Sequence, residues 1–422
     1  MRLAKLVLAV LALLCAASFS YSPAQSGRTV SSQPTPTPDS ASSQSGVGNQ
    51  TVRGVQKYKV VFPLKTGLPD VTMDSFVEQL NQHSRDGYRL KAATYGWQRV
   101  SGEEYSVPVG ILQSDESEFE YAWFAVASTF YFAIPGFERE YSAQAKKGFR
   151  LVDHFLSTVF CDDEETDTVA PTPHCKSNYI FLLERERGSV GPRDFMVAEA
   201  MPDWQRKPGR KLAQATKTNL PDGFYPARVL ANNQLLLDRT TEKEDFETNP
   251  PEVQIVNSSF LNNVKKKVSE LGQQGFRLAL IGAECAVLYR WPNERGPFVY
   301  EWLNAKDKKF EKELARIQAS GATFRLVYRD PYGGNQLVFE RQTNLSSRGA
   351  EYKSLKLSFQ LSDPQTLKGS GNVNARLELT PEGKETIELI NNLAGEGFVV
   401  RDLFVSKLTG SKDVGVLLER SK

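Results

Sequence analysis

The sequence predicts an α+β protein, a tandem array of about six small βαββ units with antiparallel sheets and helices packed on one face, after a disordered leader. Three observations carry that expectation. Amphipathic helical stripes end at a glycine that is followed by an aromatic-Arg-Leu strand: Gly87-Tyr88-Arg89-Leu90, Gly148-Phe149-Arg150-Leu151 and Gly275-Phe276-Arg277-Leu278. Looser copies begin at Gly223-Phe224, at Gly321 and at Gly397-Phe398. Six apolar closing runs follow, five of them ending in Arg, as in Leu182-Leu183-Glu184-Arg185 and Leu417-Leu418-Glu419-Arg420. The glycines recur at uneven intervals, which excludes a solenoid of constant repeat length and assigns the extra residues to loops, where insertions cost little.

The chain starts with Arg2 and Lys5, an apolar run over residues 6–17, and small residues at Ser22-Pro23-Ala24. That is the layout of a secretory signal over 1–24, too short to span a bilayer comfortably, with an uncleaved anchor as the alternative. Residues 25–54 are rich in Ser, Thr, Pro, Gln and Gly and almost lack large apolar side chains, so nothing there repays the entropy of ordering.

Unit one, 55–116, reads as strand Tyr58-Lys59-Val60-Val61, a helix with Met73, Phe76, Val77 and Leu80 on one face, Gly87, and a hairpin. Unit two, 117–190, repeats this with Phe137, Tyr141 and Ala145 at four-residue spacing. Unit three, 191–245, is degenerate, with a poor helix over 211–216, and Pro226 demands an edge or a bulge. Unit four, 250–293, carries Leu261, Val264, Val268 and Leu271. Unit five, 296–343, carries Phe310, Leu314 and Ile317, with Gly333-Gly334 as a hairpin turn, and unit six, 350–422, carries Ile387, Ile390 and Ala394.

The order Tyr-Lys-Val-Val, amphipathic helix, Asn, Gly-aromatic-x-Leu, hairpin, apolar-apolar-Glu-Arg resembles the bacterial modules of the domain of unknown function 4177 family, best over 58–112 and 352–420. Those modules usually show Gly-Trp-Glu-Leu, so an Arg stands here for the acidic residue. The resemblance implies βαββ topology and a bacterial source, and brings no activity or catalytic residues.

Fifty-two basic residues against 50 acidic ones leave no global field for nucleic acid or an anionic membrane, so no nucleic-acid partner is expected. His83, His154 and His174 lack a triad or metal-ligand partner at recognisable spacing, and no glycine-rich phosphate loop follows a strand. Catalytic residues, cofactors and metal ligands are therefore expected to be none. The acidic stretch from Cys161 to Cys175 reads as a polar hairpin loop closed by a Cys161–Cys175 disulfide, with metal ligation as the alternative, and Cys285 as a buried core thiol. Arg89, Arg150, Arg277 and Arg325 face away from the core in their strands. They either pair across strands with closing-strand carboxylates or align as a ligand-facing row for anions.

These expectations describe an exported, non-catalytic repeat protein of the periplasm or extracellular space, a binding or scaffold module for a protein or cell-envelope partner, without a membrane span once the signal is cleaved. The alternatives are a cell-wall glycan binder and a hydrolase with a site between units, whose first suspects are Asp153, His154 and the acidic loop.

Overall fold

A computed structural model describes residues 56–64, 69–100, 103–127, 136–161, 175–189, 191–199, 214–218, 223–230, 234–239, 251–257, 261–282, 285–292, 296–329, 335–343, 349–362, 376–405 and 413–421. All described residues lie in one compact unit, 53–422. The leader, the 162–174 loop with His174, and Gly333-Gly334 fall outside the described residues.

The observed class is α+β, with six small antiparallel sheets and five helices among the described residues. Sheet one holds β1 (Tyr58–Val61), β2 (Tyr88–Val100) and β3 (Glu103–Ser114) in the order β1-β3-β2, with helix α1 (Pro69–Arg85) between β1 and β2 in sequence. Sheet two repeats that order with β4 (Phe119–Ala127), α2 (Phe137–Ala145), β5 (Arg150–Cys161) and β6 (Cys175–Glu186). In sheet three β10 (Gln234–Arg239) lies between β7 (Asp194–Glu199) and β9 (Tyr225–Val229). Sheet four uses β11 (Glu252–Asn257), α3 (Leu261–Gln273), β12 (Arg277–Ile281) and β13 (Cys285–Arg290). Sheet five uses β14 (Phe298–Asn304), α4 (Phe310–Ala319), β15 (Thr323–Tyr328) and β16 (Gln336–Gln342). Sheet six uses β17 (Ala350–Ser362), β18 (Arg376–Leu379), α5 (Pro381–Gly395), β19 (Val399–Phe404) and β20 (Asp413–Ser421). In every sheet the strand that closes the hairpin is central, flanked by the strand that opens the unit and by the one that follows its glycine.

One expected element is different. The poor helix over 211–216 is instead a strand, β8 (Gln214–Thr218), and it extends sheet four by pairing with β11. Its Thr216 and Thr218 suit a pleated edge better than a helix, and β11 otherwise leaves a row of peptide groups unpaired. Pro226 lies on edge strand β9, and the β9–β10 register shifts there.

Each core is shared by consecutive sheets. The α1 residues Met73, Phe76 and Leu80 pack with Leu112 of their own sheet and with Ile180 and Leu182 of the next. The α2 residues Phe137 and Tyr141 join Phe181 and Leu183 to Leu236 of sheet three. Leu235 and Leu237 meet Cys285 and Val287 between sheets three and four. The α3 residues Val264 and Val268 join Leu288 to Phe298 and Val338. The α4 residues Leu314 and Ile317 join Phe339 to Tyr352 and Leu417. Finally Ile390 and Leu393 of α5 join Val416 and Leu418 to Tyr58, Val107, Val109 and Ile111 of sheet one. The series of cores therefore closes on itself. Period-2 alternation sends successive closing-strand residues to two different cores, which is why those strands read as unbroken apolar runs.

Candidate functional site

Polar chemistry in this molecule is concentrated where the glycine turns, the hairpins and the neighbouring sheets meet. Gly87, Gly148, Gly223, Gly275, Gly321 and Gly397 all have φ between 77° and 90°. In that left-handed region a Cβ clashes with the backbone, so glycine is the residue that turns the chain into the strand, directly after a helix at all of these positions but Gly223. Three of the closing arginines secure this turn in the same way. Arg185 donates to the Lys147 carbonyl at 2.7 Å, stacks over Phe149 at 4.6 Å and pairs with Glu120 at 2.5 Å. Arg420 donates to the Glu396 carbonyl at 3.2 Å, stacks over Phe398 and pairs with Glu351. Arg290 does the same with Gln274, Phe276 and Glu252. One guanidinium thus ties the carbonyl before the glycine, the aromatic after it and the first strand, so the glycine-aromatic and final-Arg motifs belong to one device.

The glycine also sets the bulge. Counting from it, the fourth residue is skipped in all six pairings with the closing strand: Lys91, Val152, Ala227, Ala279, Arg325 and Arg401. Arg325 therefore does not share a position with Arg89, Arg150 and Arg277, which stand two residues after their glycines. It matches Arg401.

The four arginines read as ligand-facing all meet protein acceptors. Arg150 pairs with Glu184 of its own sheet at 2.8 Å, and Arg89 of sheet one reaches the same carboxylate at 2.7 Å while stacking over Phe119. Arg277 pairs at 2.7 Å with Glu340 of the following sheet. Arg325 donates to the Leu278 carbonyl at 2.6 Å and lies 4.0 Å from Glu340. Glu184 and Glu340 are buried, and their partners keep about a third of their side-chain surface accessible.

A tyrosine hydroxyl crosses four of the boundaries. Tyr121 accepts the Leu90 N–H at 2.8 Å, Tyr300 accepts that of Leu278 at 2.6 Å and Tyr352 accepts that of Phe324 at 2.7 Å. Tyr58 accepts the Val400 N–H at 3.2 Å. Each donor is the third residue after a glycine, on a strand at a sheet edge where alternate peptide groups lack a ladder partner. Helix amides pair back onto the tyrosine's strand: Asn81 bonds both peptide groups of Tyr121, at 2.8 and 3.0 Å, and Asn391 both those of Tyr58, at 2.7 and 3.1 Å.

A second set of charges lies where the strands after the glycines approach one another, β2 beside β19 and β5, and β15 beside β19 and β12. Arg329, just past β15, donates to both oxygens of Asp153 on β5 at 3.2 and 3.1 Å. It also donates to the Ala93 carbonyl on β2 at 2.8 Å and to Asp402 on β19 at 3.4 Å. Arg228 on β9 donates to the Val152 carbonyl. Five sheets thus contribute to one charge-balanced cluster. Burial presses the Arg329 pKa down, but Asp153 and Asp402 outweigh it and leave the pKa above its ordinary value. Burial raises that of Asp402 against the pull of Arg329. Arg329 keeps 29% of its side-chain surface accessible, so these pairs are partly hydrated and worth less than dry ones.

His154 adjoins this cluster. Its ring stacks on Phe181 at 6.0 Å, and burial, aided by Arg228 and Arg329 and opposed by Asp153, lowers its pKa to about 4. Asp153 accepts the His154 backbone N–H at 2.9 Å, and its carboxylate is held by Arg329. Asp153 and His154 are thus neighbours that form no acid–base dyad. His83, in the last turn of α1, lies 3.6 Å from Asp86. Among the described residues no group of three His, Cys, Asp or Glu side chains is gathered to hold a metal ion. Cys285 is buried, and the backbone register sets Cys161 opposite Cys175 at the far end of the β5–β6 ladder.

Arg329, Arg228 and Asp402 carry no local motif and were missed in the sequence. For Arg228 and Asp402 the signal is positional, since with Asp153 they stand five residues after their glycine, while Arg329 stands eight after Gly321. No helix of the described residues is long and apolar enough to cross a membrane. No protein-family model, curated protein or solved structure matches the chain.

Proposed function

We propose that the chain is an exported, non-catalytic binding or scaffold protein of the bacterial envelope, built from six related units, five of them with the helix of a βαββ module akin to those of the domain of unknown function 4177 family. The observation that carries this reading is the commitment of the enclosed polar groups to one another across sheet boundaries. Arg329 with Asp153 and Asp402, and Glu184 with Arg89 and Arg150, are arranged to hold sheets in register. A general acid or base needs reach to a substrate and a pKa near the working pH. The pKa of His154 is lowered to about 4 and the Asp153 carboxylate is engaged by Arg329, which weighs against the hydrolase alternative. Shared cores make the six units one stiff body rather than beads on linkers. Recognition then relies on a fixed spacing of surfaces, not on flexible avidity.

Affinity capture with the full chain from solubilised envelope fractions tests the reading. Reproducible enrichment of a defined envelope protein is the expected result. Co-sedimentation with purified cell-wall glycan and no protein capture would replace it with the glycan-binding alternative, and turnover of an envelope substrate would overturn the non-catalytic assignment.

A further inference from the structure

The boundary between sheets six and one differs from its counterparts in one respect, which is covalent. Sheets one and two, four and five, and five and six are joined by short connections at residues 115–118, 291–297 and 343–349. Sheets six and one have no such short connection: β1 covers Tyr58–Val61 and β20 covers Asp413–Ser421. Their contact nonetheless uses the same chemistry. Tyr58 Oη accepts the Val400 N–H, Asn391 bonds both peptide groups of Tyr58, and Tyr58, Val107, Val109 and Ile111 fill a core with Ile390, Leu393 and Val416. At the boundary of sheets one and two, Tyr121, Leu90 and Asn81 play the corresponding parts.

Both of these boundaries are head-to-tail. One sheet offers a tyrosine-bearing edge strand, and the sheet on the other side offers a helix amide and an edge N–H. Head-to-tail contacts form a closed set when the rotation returns to its start and an open chain when it does not. Among the described residues this closure is made by non-covalent contacts between segments 333 and 342 residues apart, made effectively concentrated by the polypeptide that joins them. We propose that the sheet-six surface around Asn391 and Val400 is a docking site for the first sheet of a second copy of this chain, so that opening the closure converts the monomer into head-to-tail, domain-swapped assemblies. The occupant is fixed by the chemistry on the page. A partner must present an edge strand with free peptide N–H and C=O groups to Asn391, a hydroxyl to Val400 and an apolar sheet face to α5, and residues 58–61 with 107–111 present all three.

A complementation experiment with full-length chains tests this. Tyr58→Asp damages the offering edge strand and leaves sheet six intact, and Asn391→Arg damages sheet six and leaves the edge strand intact. Each variant alone is expected to run as a monomer by light scattering with a lowered melting temperature. An equimolar mixture is expected to double in mass and to contain both chains. A mixture that stays at monomer mass, with both variants retaining their far-ultraviolet circular dichroism, overturns the proposal. Should either variant fail to fold, unaltered chains bearing two different tags decide. After incubation together in urea near the unfolding midpoint and dilution, recovery of both tags in one dimer supports the proposal, and recovery of separately tagged folded monomers alone overturns it.

Discussion

Glu184 sets what one side chain contributes to holding sheets together. Its carboxylate is buried, yet two guanidiniums from different sheets reach it at 2.7 and 2.8 Å. Glu184→Gln keeps the shape and removes the carboxylate charge that Arg89 and Arg150 share, while Arg89 keeps Asp115 at 3.9 Å. Removing one member of a fully buried pair costs about 3–5 kcal/mol. Partial hydration of both arginines reduces the expected loss to about 2 kcal/mol, read as a lower urea midpoint. Glu118→Gln is the control, because its partner Arg187 is exposed, and there the midpoint is expected to move by less than about 0.5 kcal/mol. Equal effects of the two substitutions would contradict the bridging role of Glu184. His154 gives a pH dependence with a definite sign. Its folded pKa of about 4 lies below the ordinary 6.5, so the folded state binds fewer protons than the unfolded chain in that window. The stability it contributes is fully present above pH 6.5 and is lost as pH falls towards 4, at no more than about 1.4 kcal/mol per pH unit. Asp402, with its raised pKa, acts oppositely, because its protonation favours the fold. Urea melts between pH 7 and 4.5 should show the decline, and His154→Gln should flatten it. An unchanged slope in that variant would assign the decline to other groups.

At the scale of elements, the glycine-to-bulge segment is where sequence legibility was greatest and also where it failed. Gly87, Gly148 and Gly275 were readable because only glycine ends a helix cheaply in the left-handed region, and the closing runs were readable because burial on two faces removes the polar alternation. Arg325 was aligned with the wrong neighbours because Phe324-Arg325-Leu326 imitates the motif two residues out of place. A bulge skips a residue, so local pattern and true position part company there. Strand β8 was illegible for a related reason. Its partner β11 lies in another unit, and nothing local in Gln214–Thr218 names it. The β5–β6 ladder carries the next prediction. Its register places the Cys161 backbone opposite that of Cys175, and directly opposed antiparallel residues have Cα separations of about 4.5–5.5 Å, inside the range a disulfide spans. Mature protein purified under oxidising conditions is therefore expected to yield a peptide pair linked through Cys161 and Cys175, with Cys285 alkylated only after unfolding. Alkylation of both Cys161 and Cys175 in folded protein without reductant would remove the bridge and return the 162–174 loop to the metal-binding alternative.

Over the whole molecule, closure of the core series decides how residues 53–422 unfold. In an open array the terminal units fray first, because each has one neighbour. Here sheet one has two, sheet two through Met73, Phe76 and Ile180, and sheet six through Val107, Ile111 and Phe398. Deleting residues 344–422 should therefore harm the distant end of the chain and not merely shorten it. Tyr58, Val107, Val109 and Ile111 lose the apolar partners that bury them, at about 1.5–3 kcal/mol for each large side chain returned to water. Hydrogen exchange reads this directly. In the full chain, amides of β1 and β3 are expected to exchange with the slow rate of the central strands. In the truncated chain the same amides should exchange much faster, while those of β13 in sheet four, two boundaries from the cut, retain more protection. Unchanged protection of β1 and β3 after truncation would mean that sheet one draws its stability from sheet two and α1 alone. The sixth sheet would then be an appendage rather than the second wall of the first sheet's core.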